Sequence, residues 1–562
     1  MSLPAFPFYV CILCLAIFNL NGRVLAYQDQ QVPTENSDTL LQERLRGSIT
    51  PERDWWDLQH YHLSVEFFPD SKELQGTNKV TFKVLKQGQR MQIDLQQPLK
   101  ITSVIHGSEK LKFERNGNVY WIDFAEELKV GTEESVLISY AGVPQEAKLP
   151  PWEGGVTWAK DEKGQPFIAT TCQRIGASVW WPTKDHGYDE PDDGVKISLT
   201  VPKGLTGVAN GRLQGSELKA DKRTFHWVVS HPINNYCVNA NVGNYVNFQE
   251  QFQGEAGQLD LDYWVLKHQK DRAIKTFKEV PRTIKAFEHW FGPYPFYEDS
   301  FKVVTVPYLG MEHQSNVSYG NGFKNGYAGQ DLSSTGVGLL FDFIIVHESG
   351  HEWFGNNISM QDIADMWIHE SFTNYSENLF VEYHFSEKEA QDYVVGCRGL
   401  VRNDRPIIGQ YGLNRPGSWD MFYKGGNMLH TIRHILNNDD LWREILRGLN
   451  QKFWHQTVKT QQIETYINTK SGVDFSKMFD QFLRDRRIPQ LNYKSDGAKL
   501  TYWFTEVVDG FSFPTRIVIN QKETTIEPTT QQQILDFGST IETVELDRNF
   551  YFDLKEAKAE EN

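Results

Sequence analysis

His347, Glu348 and His351 stand in the order H-E-x-x-H, and Glu370 follows nineteen residues after the second histidine. Side chains four apart leave a helix on the same face, so both imidazoles can reach one metal ion. Glu348, next to the first histidine, falls within reach of a water on that metal. An open catalytic zinc site takes three protein ligands and keeps a fourth position for water. Glu370, within D-M-W-I-H-E-S-F (365–372), supplies the third ligand from what reads as the next helix. Residues of these types at this spacing imply hydrolysis at one Zn2+ ion. In that chemistry Glu348 takes the water's proton and later returns it to a leaving amine.

Such a site needs buried elements beneath it. The apolar run at 339–346 predicts an interior helix leading into the histidines. His369 points elsewhere on the following helix and reads as structural. Asn356, Asp365 and Glu377 are polar groups that can orient the ligands from behind.

The segment H-E-S-G-H-E-W-F-G-N (347–356), with Glu370 behind it, resembles the aminopeptidase N and leukotriene hydrolase family of zinc metallopeptidases, the gluzincin aminopeptidases. Leu309-Gly310-Met311-Glu312-His313 is similar to that family's G-x-M-E-N substrate motif, and the stretch from Cys172-Gln173-Arg174 to Asp185 resembles its upstream glutamine segment. The resemblance implies a thermolysin-like catalytic domain acting on peptides with a free N-terminus. It also implies that Glu312 binds the α-amino group, with Gln173, Gly310 and Met311 beside it. The chain departs from the family in three places. Leu309 replaces a glycine, and His313 replaces an asparagine. The family's Y-x-K-G motif, whose tyrosine supports the oxyanion, meets Phe422-Tyr423-Lys424-Gly425 here. Aligning Lys424-Gly425 puts Phe422 at the tyrosine position; sliding one residue recovers Tyr423, the only member of the pair with a hydroxyl to donate, and Tyr423 is taken as the catalytic donor.

At 562 residues with 40% hydrophobic and 13% aromatic content, the chain is too long for one core and too apolar for disorder. The formal charge of −16 leaves no basic face for nucleic acid or anionic lipid. Residues 6–20 form an apolar run, and Val24-Leu25-Ala26 offers small residues for cleavage before Tyr27, so 1–26 read as a signal peptide. The run is short for a spanning helix. Export to a periplasmic or extracellular space, without stable membrane insertion after cleavage, is the expectation. Cys172, Cys237 and Cys397 have no metal-type spacing and read as buried thiols, with one disulfide between two of them as the alternative.

The fold expected is multidomain α+β. Residues 27–50 read as a flexible leader and 51–250 as an N-terminal antiparallel β domain, from alternating runs such as 60–67 and 79–84. Residues 251–488 read as the thermolysin-like α/β zinc peptidase domain. It includes an amphipathic helix over 273–291 that ends at Gly292-Pro293 and a strand over 301–307. Residues 489–562 read as a small C-terminal β-sandwich and tail. An exported zinc aminopeptidase is the leading expectation. A lipid epoxide hydrolase and a catalytically weak, metal-bearing peptide-binding protein are the alternatives, the last motivated by Phe422.

Overall fold

The computed structural model describes residues 37–557, so the expected signal peptide lies outside the described residues. The N-terminal region is built on an eight-stranded sheet whose central strands are Trp56–Phe68 and Glu73–Val84. Alternation along the first strand buries Leu58, Tyr61, Leu63, Val65 and Phe67 on one face. The sheet is antiparallel except for one pair: Trp56–Phe68 runs parallel to Val195–Pro202, with Tyr61 opposite Val195. Purely antiparallel pairing was the expectation. More than a hundred residues separate these two strands in the chain, and sequence alternation carries no sign of direction between distant partners. Two smaller sheets complete the region. One contains Pro166–Thr171, which runs directly into Cys172 and Gln173.

A second, mixed five-stranded sheet has Gly310–Met311 as its edge strand. Its first hairpin pairs Tyr245–Gly254 with Gly257–Leu266, so this sheet begins at Tyr245 and the expected boundary at 250 falls inside a strand. The helical layer includes Phe343–Gly350, Trp367–His384 and Tyr423–Leu436. Strands from Gln490 to Glu556 form two further sheets whose apolar residues share one core with these helices. A separate core fills the N-terminal region, and Val304 and Met311 from strands of the second sheet belong to it, with Val306 and Tyr308 from the segment between them; the strand expected over 301–307 ends at Thr305. Glu312 therefore emerges between the two cores.

Three sequence expectations change. Residues 37–47, expected within a flexible leader, form the helix Ser37–Gly47, whose Gln42, Glu43 and Arg46 side chains bond to other elements. Polar composition alone cannot tell a solvated segment from one whose polar groups find distant partners. The helix before the histidines begins at Phe343 rather than near 339, because the Asp342 side chain accepts from Ile344 N and Ile345 N and so caps it. Leu339 and Leu340 are instead exposed at 43% and 39%. The stretch 273–291 divides into Lys270–Thr276 and Glu279–Phe291. Pro281, which has no amide proton to donate, is accommodated in the first turn of the second helix. Among the described residues, no helix is long and apolar enough to cross a membrane.

Candidate metal and peptide site

Donor atoms of His347, His351 and Glu370 lie within 4.8 Å of one another, and all three residues are buried. Each histidine has its Nδ1 engaged from behind. His347 Nδ1 is 2.7 Å from Glu377 Oε1, and His351 Nδ1 is 3.0 Å from the Phe354 carbonyl. Their Nε2 atoms face Glu370 Oε2 at 3.9 and 3.5 Å. Ligand atoms of a tetrahedral zinc with bonds of about 2.0–2.1 Å stand about 3.3 Å apart, so the three are already close to metal-binding separation. Glu370 Oε2 is buried with no hydrogen-bond partner, an arrangement that costs stability unless a cation completes it.

The electrostatics agree. Burial pushes His347 down to about 3 and His351 down to about 4, which keeps both imidazoles in the neutral, ligating form. Burial and then the Glu312 carboxylate raise both Glu348 and Glu370 well above the usual range. Glu312, Glu348, Glu370 and Glu377 are crowded and dehydrated, and a divalent cation is the charge that balances them. The residues present fit one zinc ion.

The ligands owe their orientation to the next layer. Glu377 also accepts from Tyr393 OH at 2.5 Å, and Thr373 Oγ1 sits 3.1 Å from His351 Nδ1. Glu377 was among the groups expected to orient ligands. Asn356 instead holds the Glu312 carbonyl, at 3.0 Å, and Asp365 bonds Thr460 and Tyr411 away from the ligands.

Glu312, Glu348 and His351 form a second close group. Gly310 makes this approach feasible, because a Cβ there would stand 2.6 Å from Ile344 Cγ2 and 2.9 Å from Glu348 Oε1. Met311 is buried in the N-terminal core and anchors the strand. Gln173 Nε2 donates to Glu312 Oε1 at 2.6 Å and to Glu370 Oε1 at 3.1 Å, joining the two carboxylates. Tyr236, unforeseen from the sequence, donates its hydroxyl to Glu312 Oε1 at 3.1 Å. His369 backs it: Nε2 accepts from Met360 N at 2.8 Å, and Nδ1 faces the Tyr236 hydroxyl at 3.4 Å. No local pattern around Asn234-Asn235-Tyr236-Cys237 announces this role. Both side-chain bonds fall on Oε1, and among the described residues none reaches Glu312 Oε2. Among the described residues, Cys172, Cys237 and Cys397 are buried and free.

Of the Phe422-Tyr423 pair, Phe422 lies against the metal side, its ring stacked 6.1 Å from His347 and 5.8 Å from Trp419. Tyr423 opens the helix Tyr423–Leu436, with its ring 6.5 Å from that of Phe422.

Residues 276–482 match the model of the peptidase family M1 domain. Aminopeptidase B of Mus musculus is 23% identical over 348 residues, covering 57% of this chain and 50% of that protein. Probable aminopeptidase 1 of Sulfurisphaera tokodaii is 18% identical over 483 residues, covering 79% of this chain and 60% of that one. The chain thus spans about half to three-fifths of the length of these two curated relatives. The crystal structure of an M1 zinc metallopeptidase from Deinococcus radiodurans superposes with a TM-score of 0.66 at 19% identity, over 77% of this chain and 95% of that one. A mutant of that bacterial protein, bound to a Tyr-Ser-Ala substrate, superposes with a TM-score of 0.67.

Proposed function

We propose that this chain, a member of peptidase family M1, is a zinc aminopeptidase that removes the first residue from peptides with a free N-terminus. The observation that carries the reading is the closeness of Glu312 to Glu348 and His351. An α-amino nitrogen is only about 2.5 Å from its own carbonyl carbon. An ammonium held on Glu312 Oε2 therefore brings the first peptide bond, and no later one, alongside Glu348 and the ligands.

The roles follow from the side chains. Glu312 pairs with the α-ammonium, while Gln173 and Tyr236 fix its carboxylate by occupying Oε1. A zinc ion held by His347, His351 and Glu370 supplies a Lewis acid for the scissile carbonyl and lowers the pKa of water. Glu348 takes the attacking water's proton and passes it to the departing amine. Glu377 and the Phe354 carbonyl hold the imidazoles in register. The oxyanion donor falls on the Phe422-Tyr423 pair. The stacking of Phe422 on His347 supports the Lys424-Gly425 register, which puts a ring without a hydroxyl at that place, and Tyr423 is the competing donor. Export is proposed from the apolar run at 6–20 and the Val24-Leu25-Ala26 site; a mature protein beginning near Tyr27 would bear it out, and intact retention of residues 1–26 would refute it.

Glu312→Ala tests the central reading. Turnover of aminoacyl substrates is expected to fall on the order of a hundredfold in kcat/KM, since a buried charge pair loses one partner. Efficient wild-type cleavage of N-acetylated peptides would show that the amine is not what aligns the substrate.

A further inference from the structure

The helix Ser37–Gly47 plays no part in the reaction as described, yet its last turn ends beside the amino-group subsite. Arg46 Nη2 donates to the Arg174 carbonyl at 2.7 Å, and Arg46 Nε lies 3.3 Å from Asp185 Oδ2. Asn414 Nδ2 donates to the same Arg174 carbonyl at 3.2 Å. The Asn414 amide in turn donates to the Glu43 carbonyl at 3.3 Å, and Glu43 pairs with Arg415 at 2.5 Å. On its other side the helix meets the N-terminal sheets, where Asn118 N donates to Gln42 Oε1 at 3.0 Å. The helix thus ties the N-terminal β region to the catalytic domain, and the Arg174 carbonyl is the acceptor both share.

Arg174 has a φ of 65°, a left-handed conformation that a residue with a side chain keeps only when its surroundings hold it there. Immediately before it stands Gln173, whose amide joins Glu312 to Glu370. A cavity of about 60 Å³ between the helix end and the site is lined by Arg46, Gly47, Gln173 and Tyr236 among others. Two of those, Gln173 and Tyr236, are the donors that fix Glu312.

We propose that Arg46 is a positioning residue for the amino-group subsite: by holding the Arg174 carbonyl it fixes the backbone from which Gln173 reaches Glu312, while the Glu370 oxygen that Gln173 touches is Oε1 and not the Oε2 that faces the histidines. The proposal rests on the reading of Glu312 as the amine anchor. Without Arg46 the backbone at Arg174 relaxes, the Gln173 amide loses its placement, and the Glu312 carboxylate meets the ammonium less well. Groups that bind only the metal are left untouched.

Two competitive inhibitors with the same metal-binding head separate these effects in the full-length zinc enzyme: phenylalanine hydroxamate, and 3-phenylpropanohydroxamate, which lacks the α-amine. The wild-type protein is expected to favour the amine-bearing compound by at least about tenfold. Arg46→Ala should erode that preference about tenfold while leaving the Ki of the amine-free compound unchanged. Asn414→Ala, which removes the second donor to the same carbonyl, should shift the ratio about threefold the same way, and it carries the test if Arg46→Ala does not fold. A ratio unchanged in both variants overturns the proposal, as does equal weakening of both inhibitors, which would mark the helix as a general brace. A wild-type enzyme blind to the amine would overturn the anchor reading of Glu312 and this proposal with it.

Discussion

The three proposed metal ligands come from the helix Phe343–Gly350, its C-terminal cap His351 and the helix Trp367–His384, and most of the groups that orient them lie on or between the same helices. The proposed amine anchor is assembled differently. Glu312 sits on the edge of one sheet, Gln173 follows a strand of another, and Tyr236 lies in a turn between the two cores; His369 braces Tyr236 from the ligand helix. One half of the site depends on how two neighbouring helices pack. The other depends on how the N-terminal β region is seated against the catalytic domain. Substitutions in the first half should therefore appear in metal affinity and kcat, and those in the second in discrimination of the substrate's amino group.

The largest effect expected is that of Glu348→Gln. It should retain zinc, measured by elemental analysis, while kcat falls about a thousandfold because an amide cannot take the water's proton. A wild-type rate would assign the base elsewhere. A sharper contrast comes from pairing Glu377→Gln with Tyr236→Phe. Glu377→Gln removes the carboxylate behind His347 and should weaken zinc binding about 10–100-fold by competition with a chelator. Tyr236→Phe should leave zinc affinity alone and raise KM for free-amine substrates about tenfold. If Tyr236→Phe sheds zinc, the two halves are not separable as drawn.

A smaller effect concerns the oxyanion. With Phe422 stacked on His347, Phe422→Tyr is expected to raise kcat about tenfold and Tyr423→Phe to be nearly silent. The reverse pattern, a large loss in Tyr423→Phe, would establish Tyr423 as the donor.

The smallest is a pH effect at the seam between the cores. Burial pushes Glu190 up to about 7, against the lowering influence of neighbouring Ser359 and Asn234, and its Oε1 is buried without a hydrogen-bond partner. A carboxyl with a raised pKa keeps its proton in the folded protein after the unfolded chain has lost it. Its stabilisation is complete below the ordinary carboxylate range and is lost as pH climbs towards 7. The thermal midpoint should fall by a few degrees between pH 5 and 8, and Glu190→Gln should flatten that fall. A slope unchanged in the variant would place the titration elsewhere.

The sequence by itself determined the metal half, because its spacing lies within one pair of helices. His347 and His351 are four apart, so helical periodicity puts them on one face, and Glu370, nineteen residues on, needs only the packing of the next helix to join them. It also conveyed the alternation of the N-terminal strands. Tertiary structure decided the remainder. Which donors hold Glu312 depends on segments as far apart as 173, 236 and 369, and no periodicity links them. Whether the polar stretch before the first strand stays solvated or docks as a helix depended on partners at 118, 185 and 415. The direction of Val195–Pro202 beside Trp56–Phe68, and the stacking of Phe422 on His347, were set the same way. A local pattern fixes which face a side chain leaves from, but what it meets there is set by packing between elements distant in the chain.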